Sequence, residues 1–283
     1  MNVIAVIPAR DESARLPAAL AALRREGVTA IVVANGCRDA TAAVAHKHGA
    51  FVIETPPLAG GVGEARAIGL EIALLRRPSW VMTTDADCTL AHGTATVLAR
   101  ALDDAEAAFG RVVPDAGEFA NLPAAVRQHG LLEDRRDSLR ALIDGIMAAL
   151  PWNPTPCHGQ SPGALIAWRP DAYRASGGIA PLPREEDRRM AVALSAARLR
   201  VARPWDAVVV ASCRLRGRAP GGMATTIAAR TRADLSAETA ALDDECSALE
   251  HRLAMLLPPS AWPALPARYE GVCDVLAVRQ TAI

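Results

Sequence analysis

Lysine is almost absent from this chain of 283 residues. Lys47 is the only lysine, and every other basic residue is an arginine. This scarcity excludes any mechanism that needs a second lysine. It favours arginine as the ligand of a bound phosphate, because a guanidinium group can pair with two oxygens at once.

An excess of charge of either sign is also missing, since 31 Lys and Arg residues balance 31 Asp and Glu residues. The balance argues against a bulk electrostatic partner such as duplex nucleic acid or an anionic membrane. No charge-free apolar run of about 18 residues occurs, and no charged segment precedes a long apolar one at the N-terminus. We therefore expect no transmembrane segment, no signal peptide and a cytoplasmic location.

Closely spaced cysteine pairs are the third absence. The six cysteines lie far apart, so the spacing of a structural zinc site is missing, and a small disulfide scaffold is implausible at this length. We expect buried free thiols in a reducing compartment. The cysteines are Cys37, Cys88, Cys157, Cys213, Cys246 and Cys273.

Apolar residues, by contrast, make up 51% of the chain, which is enough for a sizeable core. Strands are predicted over residues 3–7, 31–34, 51–54 and 80–84, and Pro8 is expected to end the first of them. Helical stripes separate them, at Leu16, Leu20 and Leu23, over residues 41–48 and over residues 65–75. This alternation predicts an α/β fold with a mostly parallel sheet and right-handed crossovers. Ligands of such sheets lie beyond the carboxyl ends of the strands, so the loops after Ile7, Ala34 and Thr84 are the predicted site.

The rest of the chain is less regular. Two further strands are predicted, over residues 164–168 and 207–211. Helices are predicted over residues 131–150 and 190–197, and one or two amphipathic helices over 223–257. An irregular tail then carries four prolines, which are Pro258, Pro259, Pro263 and Pro266. We expect one domain over residues 1–218 and a helical extension over 219–283.

The Asp85-Ala86-Asp87 motif closes the fourth predicted strand. Two carboxylates at a strand end can bind a hard cation through oxygen, and the cation can neutralise a leaving diphosphate. The motif alone is more often a solvated turn. Its position at the carboxyl edge of a parallel sheet favours a metal site.

Two other loops carry acids that have a second interpretation as helix caps. Asp11 or Ser13 could cap the helix that follows the first strand, and Glu12 suits the positive end of a helix. Asn35-Gly36 is typical of a tight turn, and Asp39 could cap the next helix. For the first loop, capping is compatible with a place in the ligand site. For the second loop, the alternative is that Asn35 and Asp39 face a nucleoside held across the loops.

Five motifs, in order and spacing, resemble those of family 2 glycosyltransferases along most of residues 3–218. They are Pro8 followed by Asp11-Glu12; Ala34-Asn35-Gly36-Cys37-Arg38-Asp39-Ala40-Thr41; Gly61-Val62-Gly63-Glu64-Ala65-Arg66-Ala67; Asp85-Ala86-Asp87; and Gly177-Gly178 followed by Glu186-Asp187. The resemblance implies a GT-A fold, in which about residues 1–104 bind a nucleotide sugar and residues 105–218 bind the acceptor.

The resemblance also implies roles for individual residues. Asp187 would be the general base, with Glu186 as the next candidate. Asp87, with Asp85, would bind Mn²⁺ or Mg²⁺. The implied nucleotide-sugar pocket comprises Pro8, Ala9, Glu12, Asn35, Asp39, Arg66 and Asp85. Asn35 stands where many relatives have a uracil-reading aspartate; its carbonyl can still accept a ring N–H, so donors of UDP or GDP type both remain open.

Two further groups have open assignments. Arg214, Arg216 and Arg218 would face one side if their segment is extended, and they are predicted to clamp the diphosphate, although a solubilising surface cluster would have the same pattern. His158 lies in a Pro- and Gly-rich loop. It could complete the metal site or contact the acceptor, but a surface histidine is the commoner use.

The predicted reaction is a single in-line displacement, in which Asp187 takes the proton of an acceptor hydroxyl and the sugar inverts. The acceptor is unidentified, and a homodimer is possible. One alternative is a sugar nucleotidyltransferase, whose opening motif residues 7–17 mimic, but those enzymes usually need a lysine soon afterwards. The other is a non-catalytic nucleotide-binding module, which three intact aspartates (Asp85, Asp87 and Asp187) disfavour.

Overall fold

A computed structural model describes residues 2–218 and 221–265 of the chain. The strands are β1 (Val3–Ala9), β2 (Thr29–Asn35), β3 (Phe51–Thr55), β4 (Trp80–Thr84), β5 (Cys88–Leu90), β6 (Ala107–Phe109), β7 (Arg111–Pro114), β8 (Leu165–Trp168), β9 (Val201–Ala202) and β10 (Val208–Ala211). The helices are α1 (Leu16–Arg25), α2 (Thr41–Lys47), α3 (Gly61–Leu75), α4 (Thr94–Asp104), α5 (Ala116–Ala120), α6 (Ala124–Ala148), α7 (Pro170–Ala175), α8 (Glu186–Ala196), α9 (Met223–Arg230) and α10 (Ser236–Leu256), followed by a 3-10 turn over Pro259–Ala261.

The main sheet has the strand order β3-β2-β1-β4-β8-β6-β9. Its first four strands are parallel, whereas β8 runs antiparallel to both of its neighbours. Helices α1 and α4 cover one face of the sheet, and α3, α7 and α8 cover the other. The central strands β1 and β4 are buried on both faces, which explains their unbroken apolar sequences. The predicted α/β fold with a mostly parallel sheet is confirmed.

A second sheet has the order β5-β10-β7 and lies beside the carboxyl end of β4. β5 begins directly after Asp87, and β10 pairs with it antiparallel. The strand predicted near residues 207–211 is therefore β10, and it belongs to this small sheet. The sheet brings the loop after β10, residues 212–218, to the Asp85–Asp87 turn.

Several predicted boundaries are corrected. β1 continues through Pro8 to Ala9, because its pairing with β4 ends at Val6 and Pro8 needs to pair only with β2. Helix α8 begins at Glu186 rather than near Met190. Neither Asp11 nor Ser13 caps α1, whose preceding residue is Arg15 and which has no side-chain cap.

The segment predicted to hold one or two helices holds two. α10 packs along α6 through leucines of both helices, and Cys246 is buried between them. Ion pairs Arg135–Glu250 and Arg140–Glu245 flank this contact. The described residues contain no helix that is long and apolar enough to cross a membrane.

The described cysteines are free, and all except the half-buried Cys37 are buried, as expected. Cys273 and Pro266 lie outside the described residues, as do the other residues of the predicted extension beyond 265.

Candidate active site

The loops after β1 and β2 are joined by hydrogen bonds at the carboxyl edge of the main sheet. The Arg38 amide donates to Asp11 Oδ1 (2.6 Å), and the Glu12 amide donates to Thr41 Oγ1 (2.8 Å). The turn after β4 lies beside them, where Asp87 and Glu12 contact the same arginine. The three loops named from the sequence therefore lie together.

The turn after β4 has the donors of a divalent-cation site. Ligand atoms of Asp85, Asp87 and Cys88 lie within 4.8 Å of one another. Burial and the charge of Asp85 raise the pKa of Asp87 to about 6, and Arg214 opposes this rise. Carboxylate oxygens suit Mg²⁺ or Mn²⁺, and a cation would offset the crowded negative charge. The residues present therefore fit the metal that the sequence predicts.

Arg66 lies inside the protein behind this turn. Its side chain is 2% exposed and forms ion pairs with both Asp85 and Glu186. A Cβ atom at Gly163 would lie 2.4 Å from Arg66 Nη1, so only glycine leaves room for the guanidinium group there. The two carboxylates hold the guanidinium group inside the protein, where it joins β4 to α8. The predicted contact between Arg66 and a nucleotide stays a prediction.

Glu186 and Asp187 open α8 but have different surroundings. Glu186 is buried and paired with Arg66, and burial raises its pKa despite that arginine. Asp187 is half-buried, and its Oδ2 accepts a hydrogen bond from the Gly163 amide at 2.9 Å. Its Oδ1 accepts a hydrogen bond from the Arg188 amide at 2.7 Å, while Glu185 holds the N-cap position of α8. Of the two carboxylates, Asp187 is the one that solvent reaches.

Arg214 joins the acids of two loops. Its guanidinium group pairs with both carboxylate oxygens of Glu12, and Nη2 lies 2.9 Å from Asp87 Oδ2. The segment after β10 is irregular, so the three arginines do not align as an extended chain would align them. Arg216 and Arg218 are exposed, and Arg218 Nε donates to the Asp11 carbonyl at 3.2 Å.

Both ends of the Asn35 side-chain amide are hydrogen-bonded to the backbone of the protein. Its Oδ1 accepts a hydrogen bond from the Leu58 amide (2.9 Å), its Nδ2 donates to the Gly61 carbonyl (3.3 Å), and the residue is 7% exposed. Through these contacts Asn35 holds the loop between β3 and α3, and its predicted reading of a base stays a prediction. The sequence offered no sign of these contacts, because the partners lie more than twenty positions away.

Asp39 lies at the surface beside the same edge. Slight burial opposes the change, but hydrogen bonds from Thr41 and Ser13 lower its pKa to about 2. Its Oδ1 accepts from the Thr41 amide (2.9 Å), so it stabilises the start of α2 as a cap would, although Ala40 holds the N-cap position. Pro8 is half-buried and Ala9 buried at the end of β1.

The sequence model of glycosyl transferase family 2 matches residues 4–148. This match spans half of the chain and includes the loops after β1, β2 and β4. The chain belongs to glycosyl transferase family 2. The matched region ends before Glu186, Asp187 and Arg214, so membership alone assigns them no role.

Known proteins show how far the similarity of this family 2 chain extends. An uncharacterized protein of Methanocaldococcus jannaschii, MJ1222, is 36% identical over 87 residues, which are 30% of this chain and 35% of that protein. The S. aureus TarS structure has a TM-score of 0.54 at 14% identity, over 75% of this chain and 37% of TarS. TarS 1–349, in complex with UDP-GlcNAc, has a TM-score of 0.55 at 14% identity, over 90% of this chain and 73% of that one. The TarS likeness shows the fold, which is GT-A, and the chain matches only about a third of the length of MJ1222 and of the longer TarS structure.

His158 lies in the loop between α6 and β8. It is 3% exposed, Nε2 lies 3.1 Å from the Phe109 carbonyl, and Nδ1 lies 3.2 Å from the Gln160 amide. Burial lowers its pKa to about 3. The surface alternative is wrong because His158 is buried, and its ring nitrogens hold the loop after α6. Its predicted contact with the metal or the acceptor stays a prediction.

Two residues that the sequence analysis did not single out hold side chains and loops of the candidate active site in place. Gly163 contacts both Arg66 and Asp187, as described above. Glu118 on α5 accepts hydrogen bonds from Ser212 Oγ and the Cys213 amide, each at 2.7 Å, and pairs with Arg15. Glu118 therefore anchors the loop that carries Arg214. Neither residue stands in a motif, so only the folded contacts identify them.

Proposed function

We propose that this chain transfers a sugar from a nucleotide-diphosphate donor to an acceptor hydroxyl, with a divalent metal and inversion at the anomeric carbon. One observation carries the proposal: Asp85, Asp87 and Asp187 lie around one edge of a family 2 sheet, linked through Arg66 and Gly163. Because TarS 1–349 has the same fold and is described in complex with UDP-GlcNAc and with UDP, a uridine donor is tested first. A guanosine donor is the alternative.

Asp85 and Asp87 would hold Mn²⁺ or Mg²⁺. The metal would supply charge neutralisation for the leaving diphosphate. Arg214, and Arg216 and Arg218 on the same loop, would bind phosphate oxygens through charge-assisted hydrogen bonds. Pro8, Ala9, Glu12 and Asp39 would shape the pocket for the nucleoside.

Asp187 would act as the general base. It accepts the proton of the acceptor hydroxyl, whose oxygen attacks the anomeric carbon while the bond to the diphosphate breaks on the opposite side. An α-linked donor would then give a β-linked product. The Gly163 and Arg188 amides each donate to one oxygen of Asp187, and the residue stays half-exposed, as a base that receives an external hydroxyl must be. Residues 105–218 would contact the acceptor.

A sugar nucleotidyltransferase is disfavoured by the position of the single lysine. Lys47 is exposed at the C-terminal end of α2. In a parallel α/β unit this end of a helix returns to the amino edge of the sheet, away from the ligand loops. The lysine therefore lies far from any phosphate bound beside Asp85.

Calorimetry with nucleoside diphosphates tests the metal assignment. We expect UDP or GDP to bind the wild type in the presence of Mn²⁺ and to bind at least about tenfold more weakly after chelation, because a metal bridges diphosphate and carboxylate. The Asp87→Asn variant should lose the Mn²⁺-dependent part of its affinity for the diphosphate, because the substitution removes a charged metal ligand. The fold should remain intact, since the residue lies in a turn outside the sheet.

The matched control is Asp104→Asn, an exposed aspartate at the end of α4, which should bind as the wild type does. If Asp87→Asn binds the diphosphate as tightly as the wild type at saturating Mn²⁺, the metal assignment is wrong.

A further inference from the structure

We propose that Arg214 holds Asp87 in the free protein and moves to the donor diphosphate when metal and donor bind, so that the two ligands bind cooperatively. This inference rests on the proposed function. It assigns Arg214 a positioning role in addition to a phosphate contact.

The guanidinium group of Arg214 lies beside Asp87, one of the two proposed metal ligands. Its Nη2 contacts Asp87 Oδ2 at 2.9 Å, and the same group pairs with both oxygens of Glu12. A metal ion at Asp85 and Asp87 would therefore meet a guanidinium group bound to one of its own ligands. Two like charges beside one carboxylate repel each other, so the arginine lowers the affinity for the metal alone.

The charges of the site support an exchange of cations. Among the described residues, five carboxylates cluster around two guanidinium groups: Glu12, Asp85, Asp87, Glu186 and Asp187 around Arg66 and Arg214. A sixth carboxylate near Arg214, that of Glu118, is balanced by its own partner Arg15. The formal excess is therefore three negative charges. A divalent cation and a diphosphate can enter together, because the diphosphate gives the displaced guanidinium group a new anionic partner.

Exposure and enclosure decide which arginine can move. Arg66 is 2% exposed and enclosed by Gly163, so its side chain has no space to leave Asp85. The Arg214 side chain is 19% exposed. Glu118 fixes the preceding residues Ser212 and Cys213, so the Arg214 side chain can turn while its backbone stays in place.

This arrangement predicts a measurable coupling. If Arg214 opposes the metal and favours the diphosphate, each ligand must raise the affinity for the other by the same factor. Replacing the arginine should therefore change the two affinities in opposite directions. A residue that serves only as a phosphate clamp would not change the affinity for metal alone.

The test is calorimetry of Arg214→Gln with MnCl₂ alone, with UDP alone and with UDP at saturating Mn²⁺. We expect Mn²⁺ alone to bind about tenfold more tightly than to the wild type, and UDP with Mn²⁺ to bind about tenfold more weakly. The matched control is Arg230→Gln, which removes the same charge from a bidentate pair with Glu133 elsewhere. It should change neither affinity.

A second comparison covers the case in which Arg214→Gln does not fold because Glu12 loses its partner. Glu12→Gln/Arg214→Gln removes the Glu12 carboxylate together with its partner, so that of these two acids only Asp87 loses its arginine. The double variant should bind Mn²⁺ more tightly than Glu12→Gln alone. Unchanged or weaker Mn²⁺ binding in the Arg214 variants, with normal binding by the wild type, overturns the role of Arg214 only. Tighter Mn²⁺ binding in the variants, with no UDP or GDP binding by the wild type, supports the arginine–metal competition and overturns the donor proposal. Absence of Mn²⁺ binding in every variant overturns both.

Discussion

Side chains at the edge of the sheet divide into those that could meet a ligand and those that hold the loops. Asn35 belongs to the second group, because its amide is committed to Leu58 and Gly61. Arg66 also belongs there, between Asp85 and Glu186. Asp87, Asp187 and Arg214 retain partial exposure and belong to the first group. Substitutions in the two groups should therefore have different effects.

Asn35→Ala should destabilise the protein without changing its preference between UDP and GDP. The substitution removes two partly buried hydrogen bonds, to the Leu58 N–H and the Gly61 carbonyl, and we expect a loss of about 1–3 kcal/mol in the free energy of unfolding. Denaturant titration measures the loss, and calorimetry measures the ratio of the two affinities. Asn121→Ala is the control, since Asn121 makes an exposed hydrogen bond to Gly117.

The structural role of Asn35 would be contradicted if Asn35→Ala changed the preference between UDP and GDP without changing the stability of the protein. A changed ratio of UDP to GDP affinity, with the wild-type free energy of unfolding, would return Asn35 to the base pocket.

Helix α6 carries an aspartate whose ionisation opposes folding. Asp134 lies near Arg111 and Arg230, but burial and the acids Glu133 and Asp137 raise its pKa to about 7. Its unfolded value is close to 4. Between these values the folded state binds the extra proton, so the free energy of unfolding falls as the pH rises from about 4 to about 7.

Asp134→Asn should therefore stabilise the protein at pH 8 and have little effect at pH 4. Three pKa units correspond to at most about 4 kcal/mol, and we expect the unfolding midpoint to rise by several degrees at pH 8. Thermal unfolding across this pH range measures the difference. Asp144→Asn, an exposed site on the same helix, should leave the midpoint unchanged. If Asp134→Asn and the wild type have the same unfolding midpoint at pH 8, the Asp134 carboxylate ionises in the folded protein without a loss of stability, and the prediction is wrong.

The strands and helices differ in how well they can be predicted from the sequence. β1, β2 and β4 were predictable because strands buried on both faces are continuous apolar runs. β6, β7 and β9 have two to four residues each, and they are stabilised by pairing with distant strands rather than by their own sequence. The start of α8 at Glu186 was missed because acidic residues in a charged run resemble a solvated loop.

For the molecule as a whole, local motifs were predictable and long-range pairs were not. The Asp85–Asp87 turn could be found from three adjacent residues and their place after a strand. The pair of Glu12 and Arg214 joins residues 202 positions apart, and Gly163 meets Asp187 from another loop. Such contacts depend on how the second sheet lies against the first, which no local pattern encodes. The buried position of His158 was missed for the same reason.

The central claim is that this edge turns over a nucleotide-sugar donor. The most direct measurement is release of nucleoside diphosphate from a panel of UDP- and GDP-sugars with Mn²⁺, with water as acceptor, by the wild type and by Asp187→Asn. Asp171→Asn, an exposed aspartate in the first turn of α7, is the matched control and should behave as the wild type. We predict metal-dependent release from at least one donor and a fall of about two to four orders of magnitude in Asp187→Asn, with donor affinity nearly unchanged. Release from no donor, or release by Asp187→Asn at close to the wild-type rate, would contradict the account.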